Sequence, residues 1–190
     1  MAGRPRTVQD RDVVAAVVRC IGRYGPDAMT LAHIAAEAGI TAGALVQRYG
    51  TKRNLLLLTS RTSREALEAA VVSLDFDAGD ADAVTDRALD LVIGDFADPN
   101  VVANNLAFLM LDMTDEEFRA EAIAYFVILR DAFRRVALHR GLESRHASAI
   151  AGIIVEAVQG TAIVWAVDRR GTLRERLHAT LASIIDRKPY

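Results

Sequence analysis

Residues 29–56 read MTLAHIAAEAGITAGALVQRYGTKRNLL, and their punctuation decides the fold. Thr30 precedes LAHIAAEA, Thr41 precedes AGALVQR and Thr51 precedes KRNLLLL, so a hydroxyl stands before each segment where a side-chain oxygen caps orphan amides. Gly39 falls where the first short helix must stop in a left-handed conformation, which a residue without Cβ adopts at little cost. Ile34, Ala35, Ala38, Leu45 and Tyr49 then fall inward as a small shared core. The pattern predicts two short helices joined by a tight turn, followed by the start of a third: a helix-turn-helix.

At these residues the chain resembles the DNA-binding domain of the TetR family of bacterial transcriptional regulators. Thr30, Leu31, Ile34, Ala35, Ala38, Gly39, Thr41, Gly43, Leu45, Lys52 and Leu55 match the family's spaced pattern, and Ile40 and Tyr49 are conservative replacements of its usual Val and Phe. Val46 stands where the family usually has Tyr, and Arg48 where it usually has His. The resemblance implies an all-α fold of about nine helices. Residues 1–52 form the helix-turn-helix domain, with an arm over 1–6 and helix 4 starting at 52 as the link. Residues 53–190 form a helical ligand-binding and dimerisation domain.

Composition is consistent with this. A 190-residue chain that is 52% hydrophobic and 6% aromatic suits a helical globule rich in Ala, Leu and Val. Its net charge of −2 conceals an asymmetry: residues 1–60 carry eight Arg or Lys against four acids, a net +4, which leaves −6 for the remainder. A basic head on an acidic body is the distribution expected of a nucleic-acid binder with a separate second domain. Cys20 is expected as a small buried core residue, and the N-terminus lacks an apolar signal core, which points to a cytoplasmic protein.

Along the chain, Arg4 and Arg6 sit in an arm suited to a narrow minor groove. Thr7 with Asp10 is expected to start helix 1, which Gly25-Pro26 ends. Helix 4 is expected over Lys52 to about Val72, with Leu55, Leu58, Thr62, Ala66 and Ala69 inward, before an acidic loop at 73–82. Helix 5 is expected over 83–97 and an internal helix 6 over 100–113. A capping box of Thr114 and Glu117 opens helix 7, and one of Thr172 and Glu175 opens helix 9.

Helix 8, about 145–168, contains the 21-residue run ASAIAGIIVEAVQGTAIVWAV. Its length matches a membrane span, but Glu156 and Gln159 near its middle make that costly, by about 2.5 kcal/mol or more for a charge at that depth. No membrane is expected. One neighbour cannot cover so apolar a helix, and Ala149, Gly152 and Gly160 permit close contact, so a two-fold copy is the natural cover. The resemblance likewise implies a homodimer through helices 8 and 9.

In the recognition helix, Leu45 and Tyr49 point inward, and Ala42, Gly43, Val46 and Gln47 point outward or sideways. Gln47 can bond adenine through two atoms, while Ala42, Ala44 or Val46 can touch a thymine methyl. Thr30, Thr41 and Arg48 are backbone-contact candidates, and Tyr49 belongs to the same DNA-binding set. Lys52 and Arg53 occupy the first turn of helix 4, where the dipole disfavours a cation by about 0.3–1 kcal/mol, so a docked phosphate is expected there. The family's residues corresponding to Lys52 and Val46 typically contact phosphate.

Phe96, Phe108, Met110, Met113, Tyr125, Leu129 and Trp165 are the candidates for the wall of a small-molecule cavity. The four histidines share no metal-ligand spacing, and no phosphate loop or catalytic constellation is present, so neither metal, cofactor nor catalytic residues are expected. The resulting expectation is a transcriptional regulator, a repressor by the family's commoner behaviour. It would bind a palindromic double-stranded operator as a homodimer and leave it on binding a small effector. The rival readings are a small-molecule-binding protein without DNA binding and a helical enzyme.

Overall fold

The computed structural model describes residues 8–93 and 98–185, and among them the chain is nine α-helices without strands. They are α1 (Asp10–Ala28), α2 (Leu31–Ala38), α3 (Ala42–Tyr49), α4 (Lys52–Ser73), α5 (Ala81–Ile93), α6 (Pro99–Thr114), α7 (Glu116–His139), α8 (Ser144–Asp168) and α9 (Leu173–Ile185). The all-α expectation holds. Arg4, Arg6, Thr7 and Phe96, all singled out in the sequence, lie outside the described residues.

The three threonines do what their positions predict. Thr30 accepts from the His33 amide at 3.2 Å, Thr41 from Ala44 at 3.1 Å and Thr51 from Asn54 at 3.1 Å, each satisfying an amide with no partner in its own helix. Gly39 ends α2 at φ 70°, and a substituted residue there would be strained although no atom lies in its way. Thr172 and Glu175 cap α9 reciprocally.

Other boundaries shift for identifiable reasons. Gln9 precedes the first turn of α1, its backbone amide donating to the Asp12 carboxylate at 3.2 Å. Gly25-Pro26 breaks α1 as expected: Gly25 leaves helical geometry at φ 73°, and only a short further turn runs on through Ala28. Asp115, not Thr114, caps α7 by accepting from the Glu117 amide, while Thr114 closes α6, its hydroxyl donating to the Met110 carbonyl. On α4 the inner side runs through Leu55, Leu56, Leu57, Thr59, Leu67 and Val71, while Ala66 and Ala69 face solvent.

Two apolar cores result. The first joins Val13, Val17, Ile34 and Leu45 of α1 to α3 with Leu55 and Leu56 of α4, and Phe118 of α7 is sealed into it. The second gathers Leu89, Leu129, Phe133, Ile154, Trp165 and Leu177 from α5 and α7 to α9, with Leu67 and Val71 from the far end of α4. Both cores therefore share α4. A second joint is α6 on α1, where the Asn104 amide donates to the Gly22 carbonyl at 2.7 Å beside the bend.

The helix α8 is long and apolar enough to cross a membrane by length and composition. Here it packs on α6, α7 and α9, burying Ala147, Ala151, Ile154, Val155, Val158 and Trp165. Its other side leaves Ile153, Ile163, Val164 and Val167 exposed, Val167 by 80%.

Candidate functional site

The outward face of α3 is small and polar. Leu45 is buried and Tyr49 half-buried, as their spacing requires, while Gly43, Ala44, Val46, Gln47 and Arg48 are exposed and Ala42 is half-buried. Gly43 carries no positive φ, and a Cβ there would meet nothing nearer than the Thr41 hydroxyl at 3.9 Å. Glycine at this position is required neither by backbone geometry nor by packing within the chain. Its smallness acts outward. Thr30 and Thr41 are exposed at the starts of α2 and α3, so their capping hydroxyls lie on the solvent side.

The basic residues behind this face are engaged with the protein itself. Arg48 donates to the Val8 carbonyl at 2.6 Å, pairs with Asp10 at 2.8 Å and covers the Tyr49 ring. The Tyr49 hydroxyl donates to Asp10 at 2.5 Å, and burial, with that carboxylate behind it, pushes the phenol up to about 12. Asp10 therefore organises the start of α1 around the end of α3, a role its place in the sequence does not reveal.

Lys52 and Arg53 revise the dipole argument. The Lys52 ammonium reaches the carbonyls of Pro26 at 2.8 Å, Met29 at 2.9 Å and Asp27 at 3.4 Å, the orphan acceptors after the bend in α1. Its three N–H groups thus have three protein acceptors, and what it offers the surface is charge. Arg53 forks onto the two oxygens of Asp115, each at 2.8 Å, and reaches Glu117 at 2.8 Å, so its guanidinium holds the Asp115 carboxyl below the usual aspartate range. Pairing within the chain accounts for two cations in an unfavourable helix turn.

Below the head lies a cavity of about 310 Å³. Seven helices wall it: Val18 and Ile21 of α1, Thr59, Ser60 and Ser63 of α4, and apolar residues of α5 to α9, together with Asn105, Glu121, Tyr125 and Gln159. Of the residues proposed from sequence, Phe108 and Tyr125 line it. Leu129 and Trp165 are buried in the second core instead, the Trp165 indole donating to the Gly171 carbonyl at 3.0 Å, and Met110 and Met113 face solvent. The sequence reading missed Ser60, Ser63 and Glu121, which sit on polar sides of their helices and carry no spacing signal. The Ser60 hydroxyl is buried without a partner, and burial raises the Tyr125 phenol.

Comparison with known proteins places this geometry. The family model of bacterial regulatory proteins of the tetR family matches residues 13–58, covering α1 to α3 and the start of α4. The chain is 32% identical over 119 residues to the HTH-type transcriptional regulator BetI of Agrobacterium fabrum. The match spans 62% of this chain and 58% of that relative. A putative transcriptional regulator from Saccharomonospora viridis in complex with choline shares the fold at TM-score 0.71 and 16% identity, over 92% of this chain and 94% of its own. FadR of Bacillus subtilis in complex with stearoyl-CoA shares it at TM-score 0.64 and 16% identity, over 93% and 98%.

Proposed function

We propose, from the match of its N-terminal segment to the tetR family model and its likeness to a regulator of that kind, that the chain is a DNA-binding transcriptional regulator of the TetR family, a repressor released by a small-molecule effector. Residues 1–52 are its DNA-binding part and 53–190 its effector-binding and dimer-forming part. The observation that carries the reading is the outward face of α3, where Gly43, Ala44, Val46 and Gln47 stand exposed on a helix anchored by Leu45. A face of that size and polarity fits the major groove, with Gln47 reading adenine and Val46 or Ala44 meeting a thymine methyl. Thr30, Thr41 and the first-turn amides of α3 supply phosphate contacts, and Ala42 can meet a thymine methyl. Arg48, Tyr49 and Lys52 set the helix in place, Arg48 and Lys52 also contribute charge, and Arg4 and Arg6 reach a minor groove.

The exposed apolar face of α8 supports a homodimer through α8 and α9. Gly152 and Gly160 have nothing within 4 Å of a built Cβ, so their smallness is available to a second copy. Two copies of α3 related by a two-fold axis read a palindromic operator, with half-sites one helical turn apart, about 34 Å, or a multiple of it. The cavity between the two cores supports the effector, and fold neighbours bound to choline and to stearoyl-CoA leave the effector's chemistry to this chain's own lining. Such a protein acts in the cytoplasm. Binding-site selection on random duplex DNA tests the reading: a two-fold symmetric site with steeply salt-dependent affinity is expected, and no enrichment over the starting pool overturns it.

A further inference from the structure

The charge of the effector can be read from the cavity wall. Among the described residues that line it, Glu121 is the one charged side chain, and none is Lys, Arg or His. Its two carboxylate oxygens each accept one guanidinium bond, from Arg61 at 3.1 Å and Arg64 at 2.8 Å, which leaves acceptor capacity on both. Those pairs do not exhaust the local negative charge either. Arg53, Arg61 and Arg64 are shared among Glu65, Glu68, Asp115, Glu117 and Glu121, three cations against five anions. The same wall holds the rings of Phe108, Tyr125 and Phe126, and an aromatic face attracts a cation more strongly when water is displaced.

An anionic ligand would enter a mainly apolar space beside a network with two more carboxylates than guanidiniums and find no basic side chain among the described lining residues, which is a device of rejection as much as of fit. A strongly hydrated ammonium would lose too much solvation in so apolar a space. A quaternary ammonium, weakly hydrated and carrying an alkyl chain, meets both demands. At about 310 Å³ the cavity is at the small end for ligand sites. We infer that the effector is a small amphiphilic cation whose charge sits at Glu121 and whose apolar part fills the space toward Val158 and Leu177. This rests on the reading of the cavity as the effector site.

The test uses the full chain and three probes with one alkyl tail: octyltrimethylammonium, 1-octanol and octanoate, titrated calorimetrically below their aggregation limits. The ammonium is expected to bind at least tenfold tighter than the alcohol, and octanoate weakest. Equal or tighter binding of octanol or octanoate overturns the inference while leaving the cavity as the effector site. Binding of none of the three overturns both. Glu121→Gln, confirmed folded by circular dichroism, should erase the preference by weakening the ammonium alone; a preference that survives overturns the inference. Because loss of the Arg61 and Arg64 pairs can itself unfold that variant, Tyr125→Leu is the second probe. It should weaken the ammonium at least threefold more than the alcohol, and an equal effect on both counts against a cation at this wall.

Discussion

The helices α3 and α8 both turn outward a face on which glycine has no use within the chain. A Cβ at Gly43 would meet only the Thr41 hydroxyl at 3.9 Å, and one at Gly152 or Gly160 would meet nothing within 4 Å. What surrounds those glycines differs. Gly43 lies among Thr41, Ala44 and Gln47 on an eight-residue helix of the basic head, whereas Gly152 and Gly160 lie among Ile153, Ile163, Val164 and Val167 on a 25-residue helix of the acidic body. Smallness beside amides and hydroxyls suits a hydrated polyanion; smallness beside branched apolar side chains suits another apolar helix. One kind of absence inside the molecule thus indicates two kinds of partner outside it.

The comparison breaks most visibly at α8. Val164→Asp should convert dimer to monomer at micromolar concentration in sedimentation, since an unpaired charge buried in an interface costs about 2–5 kcal/mol. Helical content should stay unchanged because Val164 is half exposed in the single chain; a dimer that persists would mean the partner lies elsewhere. On α3, Gln47→Ala should cost about 1–3 kcal/mol at one base position and flatten the preference there, read by repeating selection with the variant. Gly43→Ala separates folding from binding. It should leave melting temperature equal or higher, by up to about 1 kcal/mol of stability, while weakening every DNA sequence, and unchanged affinity would show that close approach is not what the glycine provides.

The smallest effect concerns how α3 is held. The Tyr49 phenol titrates near its ordinary value of 10 when unfolded and at about 12 when folded, so between those values the folded chain keeps a proton that the unfolded chain has lost. Stability present below pH 10 should therefore fall as pH rises toward 12, and Tyr49→Phe should remove that slope in alkaline denaturation.

What the sequence made legible was local. Thr30, Thr41, Thr51 and Gly39 act within a few residues of themselves, so capping and turn chemistry sufficed to place α2, α3 and the start of α4. The apolar spacing of Leu45 and Tyr49 placed the inner and outer faces of α3 for the same reason. The intrachain partners of Lys52 and Arg53 stand 23 to 26 and 62 to 64 residues away, beyond any periodicity, so that pairing was not legible. The cavity suffered in the same way. Met and aromatic residues look alike in a core and in a pocket, so Leu129 and Trp165 could not be told from Phe108 and Tyr125, whereas Ser60 and Glu121 became visible only once α4 met α7.

The central claim, one α3 per half-site with two copies joined through α8, is tested most directly by the stoichiometry on a selected operator. Sedimentation of the chain with a duplex carrying the full palindrome, and with one carrying a single half-site, should give two protomers on the first and markedly weaker binding on the second. Half-site and palindrome bound equally well, by one protomer each, would contradict it.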